Sequence, residues 1–209
     1  KTGNVSATSG NDTLRNVENV VAGAGNDSLS GSNGDNVLDG GAGDDVLSGL
    51  DGDDTLIGGD GEDTASYSSS TSGVNVDLSE QTATGGAGND TLSDIENVIG
   101  SNHSDTLKGD AGDNELRAGA GDDILIATEG DDVISGGSGR DTVDYSDASG
   151  AVDADLALGT VSGMGNDQIL NVENLTGSDF NDSISGNQLA NVLDGGDGDD
   201  LISGGAGND

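Results

Sequence analysis

An acidic or amide side chain returns seventeen times, in 209 residues, at the sixth place of one nine-residue phrase, as in GGAGDDVLS from Gly40 to Ser48. The sixth places are Asp12, Asp27, Asn36, Asp45, Asp54, Asp63, Asp90, Asp105, Asn114, Asp123, Asp132, Asp141, Asp167, Asp182, Asn191, Asp200 and Asp209. Each offers a hard oxygen. The chain has no cysteine and a single histidine, His103, so the softer ligands that zinc, copper and iron prefer are missing from the pattern. Magnesium keeps its waters, whereas calcium accepts many protein oxygens, and calcium is the ion this pattern favours. A helical calcium loop fits poorly, because the nearest attempt, Asp51, Asp53, Thr55, places Leu56 where such a loop needs glycine.

The elements that position these oxygens follow from two further columns. Two places before the sixth, the residue is Gly in fourteen of the seventeen rows; two places after, it is apolar in all sixteen rows that run that far. Glycine reaches the left-handed region without a Cβ clash, so the chain turns tightly there and can aim successive carbonyls inward. The three residues after the sixth, such as Val46, Leu47 and Ser48, suit a very short strand with only the middle side chain inward. One nonapeptide cannot bury that residue, but stacked copies can. The expected unit is an eighteen-residue coil of two strands and two turns, with the turns in two stacks, one along each edge.

These rows resemble the glycine- and aspartate-rich nonapeptides of RTX proteins, a calcium-binding repeat. The resemblance covers most of the chain. It implies an all-β fold, a parallel β-roll (β-solenoid), with calcium held between successive turns by the sixth-place Asp of two rows and by turn carbonyls. On this chain those carbonyls lie around Gly41, Gly43, Gly59, Gly61, Gly119, Gly121, Gly137, Gly139, Gly196 and Gly198. It also implies roughly six to ten bound ions.

Composition agrees. The chain carries 41 acidic residues against five cations, a net charge of -36. Leu, Ile, Val and Phe make up about a fifth of it, near the threshold below which chains stay disordered. The metal-free chain is therefore expected to be largely unfolded, with folding and calcium binding one event. A longer repeat overlies the short one: NVENVVAG, DIENVIGS and NVENLTGS place Glu18, Glu96 and Glu173 at intervals of 78 and 77 residues. We expect one continuous roll over 1–209, with calcium rows in blocks about 7–66, 85–144 and 163–209. Connectors 67–84 and 145–162 should act as metal-free half-coils; Val74, Val76 and Leu78, and again Val152, Ala154 and Leu156, alternate as strands do. The stretches 16–21, 94–99 and 171–176 suit a shortened half-coil, which would set Asp90 beneath Asp105. Asn36, Asn114 and Asn191 fall at stack ends, where a row meets one ion and a neutral oxygen suffices.

Single residues carry less. His103, Phe180 and Leu189 stand where glycine is expected, so their rows should be distorted or metal-poor. Glu18, Glu96 and Glu173 could reach a calcium ion, but a turn-stabilising hydrogen bond is the favoured reading, and Tyr67 and Tyr145 should cover the core where the motif lapses. No catalytic constellation appears, and charge excludes nucleic acid. No apolar stretch is long enough to span a membrane. A flat ice-binding array would need Thr in the third column, which reads Ser9, Ala24, Asn33, Ala42, Asp51 and Asp60 instead. The chain starts and stops inside repeats, as a piece of a longer protein would. The expected role is a monomeric structural module of an exported bacterial protein, a stiff spacer or folding and secretion aid outside the cell, with neighbouring domains as partners. The alternative is an accessory roll of a secreted protease, lipase or polysaccharide-modifying enzyme, or of an adhesin.

Overall fold

The computed structural model describes residues 4–6, 10–16 and 18–209, the first three by backbone alone; Ser9 of the third column and Val17 of the first short half-coil lie outside them. Among the described residues the chain forms 24 strands of three to six residues and no helix. It divides into two compact units, Lys1–His103 and Ser104–Asp209.

In the first unit one sheet runs in the order Asn4–Ser6, Asn19–Val21, Val37–Ala42, Thr55–Asp60, Gly88–Ser93, Thr82–Gly85, Val74–Asp77. The facing sheet runs Thr13–Arg15, Ser28–Ser30, Val46–Ser48, Thr64–Ser66, Asn97–Ile99. The second unit repeats the plan. One sheet is Thr106–Lys108, Ile124–Ile126, Thr142–Asp144, Asn174–Thr176, Val192–Asp194. The other is Glu115–Ala120, Val133–Ser138, Asn166–Leu170, Thr160–Ser162, Asp153–Asp155, Ser183–Ser185, Leu201–Ser203. Consecutive nonapeptides alternate between the two sheets, and parallel partners in a regular stretch are eighteen residues apart, as Leu29 with Leu47 and Leu38 with Leu56.

The single inward residue of each row builds the core. Leu38, Leu56 and Leu92 form one buried column, and Leu107, Leu125, Val143 and Leu175 another. Each short row thus hides one side chain, and only a stack hides a column. The first six-residue half-coil shortens the offset as expected: Leu14 pairs with Leu29, fifteen residues on. The tight entry of all three half-coils is made by a left-handed residue, Asn16 at φ 54°, Asp94 at 52° and Asn171 at 52°, a region in which Asn and Asp are the least strained of the non-glycine residues.

The connectors depart from simple half-coils. Val74–Asp77 is a strand with Val74 and Val76 buried, but it pairs antiparallel with Thr82–Gly85, which in turn pairs antiparallel with Gly88–Ser93. Asp153–Asp155, Thr160–Ser162 and Asn166–Leu170 repeat this in the second unit. The cause lies at the two reversals. Asp77 accepts from Ser79 and Glu80 and Gln81 goes left-handed at φ 59°, while Gly85 faces Gly88 across a two-residue hairpin. Glycines that elsewhere cross between sheets here reverse the chain within one. The strand Gly88–Ser93 is consequently flanked by Thr55–Asp60 and Thr82–Gly85, so Asp90 stacks on Asp54 and not beneath Asp105.

Candidate metal centres along the turn stacks

The sixth-place side chains line up in the stacks that the strand registers impose. In each, the carboxylate Oδ1 of one row accepts a hydrogen bond from the backbone N–H of the sixth residue in the row before. Asp12 donates to Asp27, Asp27 to Asp45 and Asp45 to Asp63, at 2.6, 2.7 and 2.7 Å. Asn36 donates to Asp54 and Asp54 to Asp90, at 2.7 and 3.0 Å. The second unit repeats the ladder through Asp105, Asp123 and Asp141, and through Asn114, Asp132 and Asp167. Asp182 with Asp200 and Asn191 with Asp209 complete it. One oxygen of each carboxylate is thus a structural rung.

The other oxygen divides the rows into two kinds. In Asp45, Asp54, Asp63, Asp123 and Asp141 the Oδ2 atom is buried without a partner. In each of these rows the second residue is left-handed: Gly41, Leu50, Gly59, Gly119 and Gly137. In six other rows the second residue supplies a donor. Gly23 N–H faces Asp27 Oδ2 at 3.4 Å, Ser178 gives Asp182 its N–H and its hydroxyl, and Thr128 gives Asp132 its hydroxyl. Ser32, Asp110 and Asn187 donate their N–H to Asn36, Asn114 and Asn191. A left-handed second residue turns its N–H away from the carboxylate, which leaves that oxygen open.

The same contrast accounts for the bulky residues at the fourth place. His103, Phe180 and Leu189 do not take positive φ; their N–H groups donate to the side chains of Ser101, Ser178 and Asn187. These turns are built from side-chain hydrogen bonds in place of glycine freedom. The expectation that such rows are distorted is met by a different turn, without the strain. Leu50 is the converse case, a large residue at φ 77°. Leu50→Gly should relieve up to about 1 kcal/mol, read as a lower calcium midpoint for folding; a higher midpoint would mean that the side chain's packing outweighs the strain.

Glycine at the first place makes the room in four of the five open rows; the fifth, Asp123, has Ala118 there. A Cβ at Gly40 would strike Asp45 Oδ2 and sit 2.8 Å from the Gly58 carbonyl; one at Gly177 would strike Asp182 Oδ2 and sit 2.8 Å from that of Gly195. In the Asp45 row the open oxygen and the first-place carbonyl of the next row therefore converge on one point, whereas in the Asp182 row Ser178 already closes the carboxylate. All ten glycines singled out in the turns have positive φ, and the carbonyls of Gly41, Gly43, Gly119 and Gly121 face Gly59, Gly61, Gly137 and Gly139 of the next row. Among the described residues no three acidic or histidine side chains gather in one place. What converges is carboxylate oxygen and backbone carbonyl, a hard all-oxygen set that fits calcium.

Burial is the first cause of the electrostatics. It pushes Asp54, Asp63, Asp123 and Asp132 up to about 6, with neighbouring carboxylates adding to it and the rung hydrogen bond opposing it. Asp45 and Asp141 are raised for the same reason. Burial raises Asp90 and Asp167 too, but a tyrosine hydroxyl stands beside each. Tyr145, fully buried, donates its hydroxyl to Asp167 Oδ2 at 2.7 Å, and the buried Tyr67 hydroxyl lies beside Asp90 outside hydrogen-bond geometry. The hairpin draws Gly85, the first-place glycine of the Asp90 row, away from that carboxylate, since Gly85 and Gly86 meet 70–74 instead, and the Asp167 row has Ser162 at the first place. The tyrosines cover the core as expected, but their places beside Asp90 and Asp167 were not legible from spacing.

Comparison with family models matches the RTX calcium-binding nonapeptide repeat at residues 17–47, 30–65, 81–93, 99–133, 118–147 and 174–209. Comparison with curated proteins returns no match. The matched segments span most of the chain and coincide with its glycine turns and sixth-place carboxylates, so the chain belongs to the RTX calcium-binding nonapeptide repeat family, whose repeats bind Ca2+.

Proposed function

We propose that the chain is a calcium-folded structural module of an exported bacterial protein, acting outside the cell as a stiff spacer and folding aid. The ions are assigned to the open rows: Asp45, Asp54, Asp63, Asp123 and Asp141, with Asp200 and Asp209 in turns of the same kind through Gly196 and Gly205. The observation that carries this reading is the set of buried carboxylate oxygens without partners, in a chain of net charge -36. An unpaired buried charge is costly, and a divalent cation removes the cost. When bound, calcium supplies that charge and draws turn oxygens together. In the remaining rows the carboxylate or amide serves as a rung and closes its own turn. Calcium is abundant outside cells, where sites of modest affinity fill, so a chain of this design stays open before export and folds after it.

Calcium titrations of four variants, followed by circular dichroism, test the assignment. Asp45→Ala and Asp123→Ala should raise the calcium midpoint about tenfold or more, whereas Asn36→Ala and Asn114→Ala should raise it no more than about threefold. Asp123→Asn keeps an acceptor for the Asp105 N–H and should retain most of the defect, which separates ion binding from the rung. Equal damage from Asn114→Ala and Asp123→Ala would show that open rows hold no privileged site.

A further inference from the structure

The open rows at Asp63 and Asp141 end against something other than a nonapeptide. The next strand beyond Thr64–Ser66 is Asn97–Ile99, and beyond Thr142–Asp144 it is Asn174–Thr176. Each is entered through a six-residue half-coil without glycine at its turn, DIENVI at 94–99 and NVENLT at 171–176. A regular row would bring two oxygens to this place: its sixth-place carboxylate and its first-place carbonyl. The short half-coil brings both. Glu96 occupies the sixth place, and its Oε2 accepts the Asp63 N–H at 2.8 Å; Glu173 does the same for Asp141 at 3.0 Å. The longer side chain makes up for the shorter loop. The left-handed entry residue supplies the carbonyl: a Cβ on Gly136 would lie 2.5 Å from both Asn171 O and Asp141 Oδ2, and one on Gly58 would strike Asp94 O while lying 2.5 Å from Asp63 Oδ2.

We propose that Glu96 and Glu173 each complete a further calcium site, in which the glutamate half-coil replaces the second nonapeptide and closes the gap over the partnerless Oδ2 of Asp63 or Asp141. This rests on the assignment of calcium to the open rows and extends it to a motif outside the nonapeptide. Three observations support it. Both Oδ2 atoms are buried in side chains with no exposure, and the facing glutamate lies close enough to repel each of them. The arrangement occurs twice, once in each unit, with the same residue types. In the second unit a cavity of about 220 Å³ lined by Gly137, Asn171 and Glu173 adjoins the place, although Asp141 itself does not line it. A glutamate serving only as acceptor for one N–H would be replaceable by glutamine; a glutamate facing a cation would not.

That difference is the test. Equilibrium dialysis of the full chain against calcium counts the ions bound. Glu96→Gln and Glu173→Gln should each lose one ion, or hold it at least about tenfold more weakly, and the double variant two. Glutamine keeps an acceptor for the N–H, so the sheet signal in excess calcium should persist. A double variant with the wild-type number of ions at wild-type affinity overturns the inference and leaves the calcium module standing. A wild-type chain that binds no calcium overturns the module itself. If the variants bind less because the roll has loosened, Asp141→Asn decides: combined with Glu173→Gln it should cost no more ions than either alone, because both act on one site. Losses that add place the two residues at separate sites and end the proposal.

Discussion

Dialysed free of calcium at pH 7, the chain is expected to lose nearly all of its sheet signal in circular dichroism and to recover it when calcium is returned. Magnesium at the same concentration should leave it mostly coil. The magnitudes decide this. Five carboxylates hold a buried oxygen with no partner, and a buried unpaired charge costs several kcal/mol. A domain of ordinary size has only about 5–15 kcal/mol of net stability to set against such a sum. The core offers little reserve, since most rows hide a single Leu, Ile, Val or Ala and the chain has one Phe, two Tyr and no Trp. Backbone ladders cannot make up the difference, because in the unfolded chain the same groups bond to water. Retention of the sheet signal in the calcium-free sample would refute coupled folding.

Protons should do in part what calcium does. Without metal, the folded form holds Asp54, Asp63, Asp123 and Asp132 up at about 6, chiefly through burial, against an ordinary value of 3.8. A carboxyl raised in the folded state binds its proton more tightly there than in the open chain. Acidification therefore favours the fold. The benefit is full below about pH 4, shrinks as pH rises toward 6, and is gone above it. The four shifts act in the same direction, so acid should stabilise the metal-free fold. The calcium-free chain should thus regain sheet between pH 6 and pH 4.5, while at fixed low calcium the bound ions should be displaced over the same range. Circular dichroism at constant ionic strength checks the first and dialysis the second. A calcium-free chain that remains coil at pH 4.5 would show that the buried carboxylates are not what keeps it open.

The period alone determined much of this molecule. Two strands and two turns per eighteen residues, one inward residue per strand and two stacks of acidic turns all follow from spacing, because a short strand between glycine turns can close its core in only one way. The alternation of Val74, Asn75 and Val76 disclosed a strand without the motif, and the spacing of the short half-coils disclosed the fifteen-residue offset between Leu14 and Leu29. These properties are local and repeat, so each copy reinforces the reading of the next.

The tertiary structure decided which sixth-place oxygens are free. In sequence, Asp90 follows GGAGN as faithfully as any calcium row, yet Gly85 is drawn into a hairpin and Tyr67 stands beside the carboxylate. Asp132 and Asp123 look alike until Thr128 and Gly119 are seen to present, respectively, a hydroxyl to the carboxylate and a left-handed turn away from it. Glu96 and Glu173 stand outside the nonapeptide and recur only in the longer repeat, and it is the shortened half-coil that sets them under Asp63 and Asp141. The direction of a backbone N–H depends on the sign of one dihedral, and the partner of a side chain depends on which strand becomes its neighbour. Spacing fixes neither, because both are settled only when rows distant in the chain stack and compete for the same oxygen.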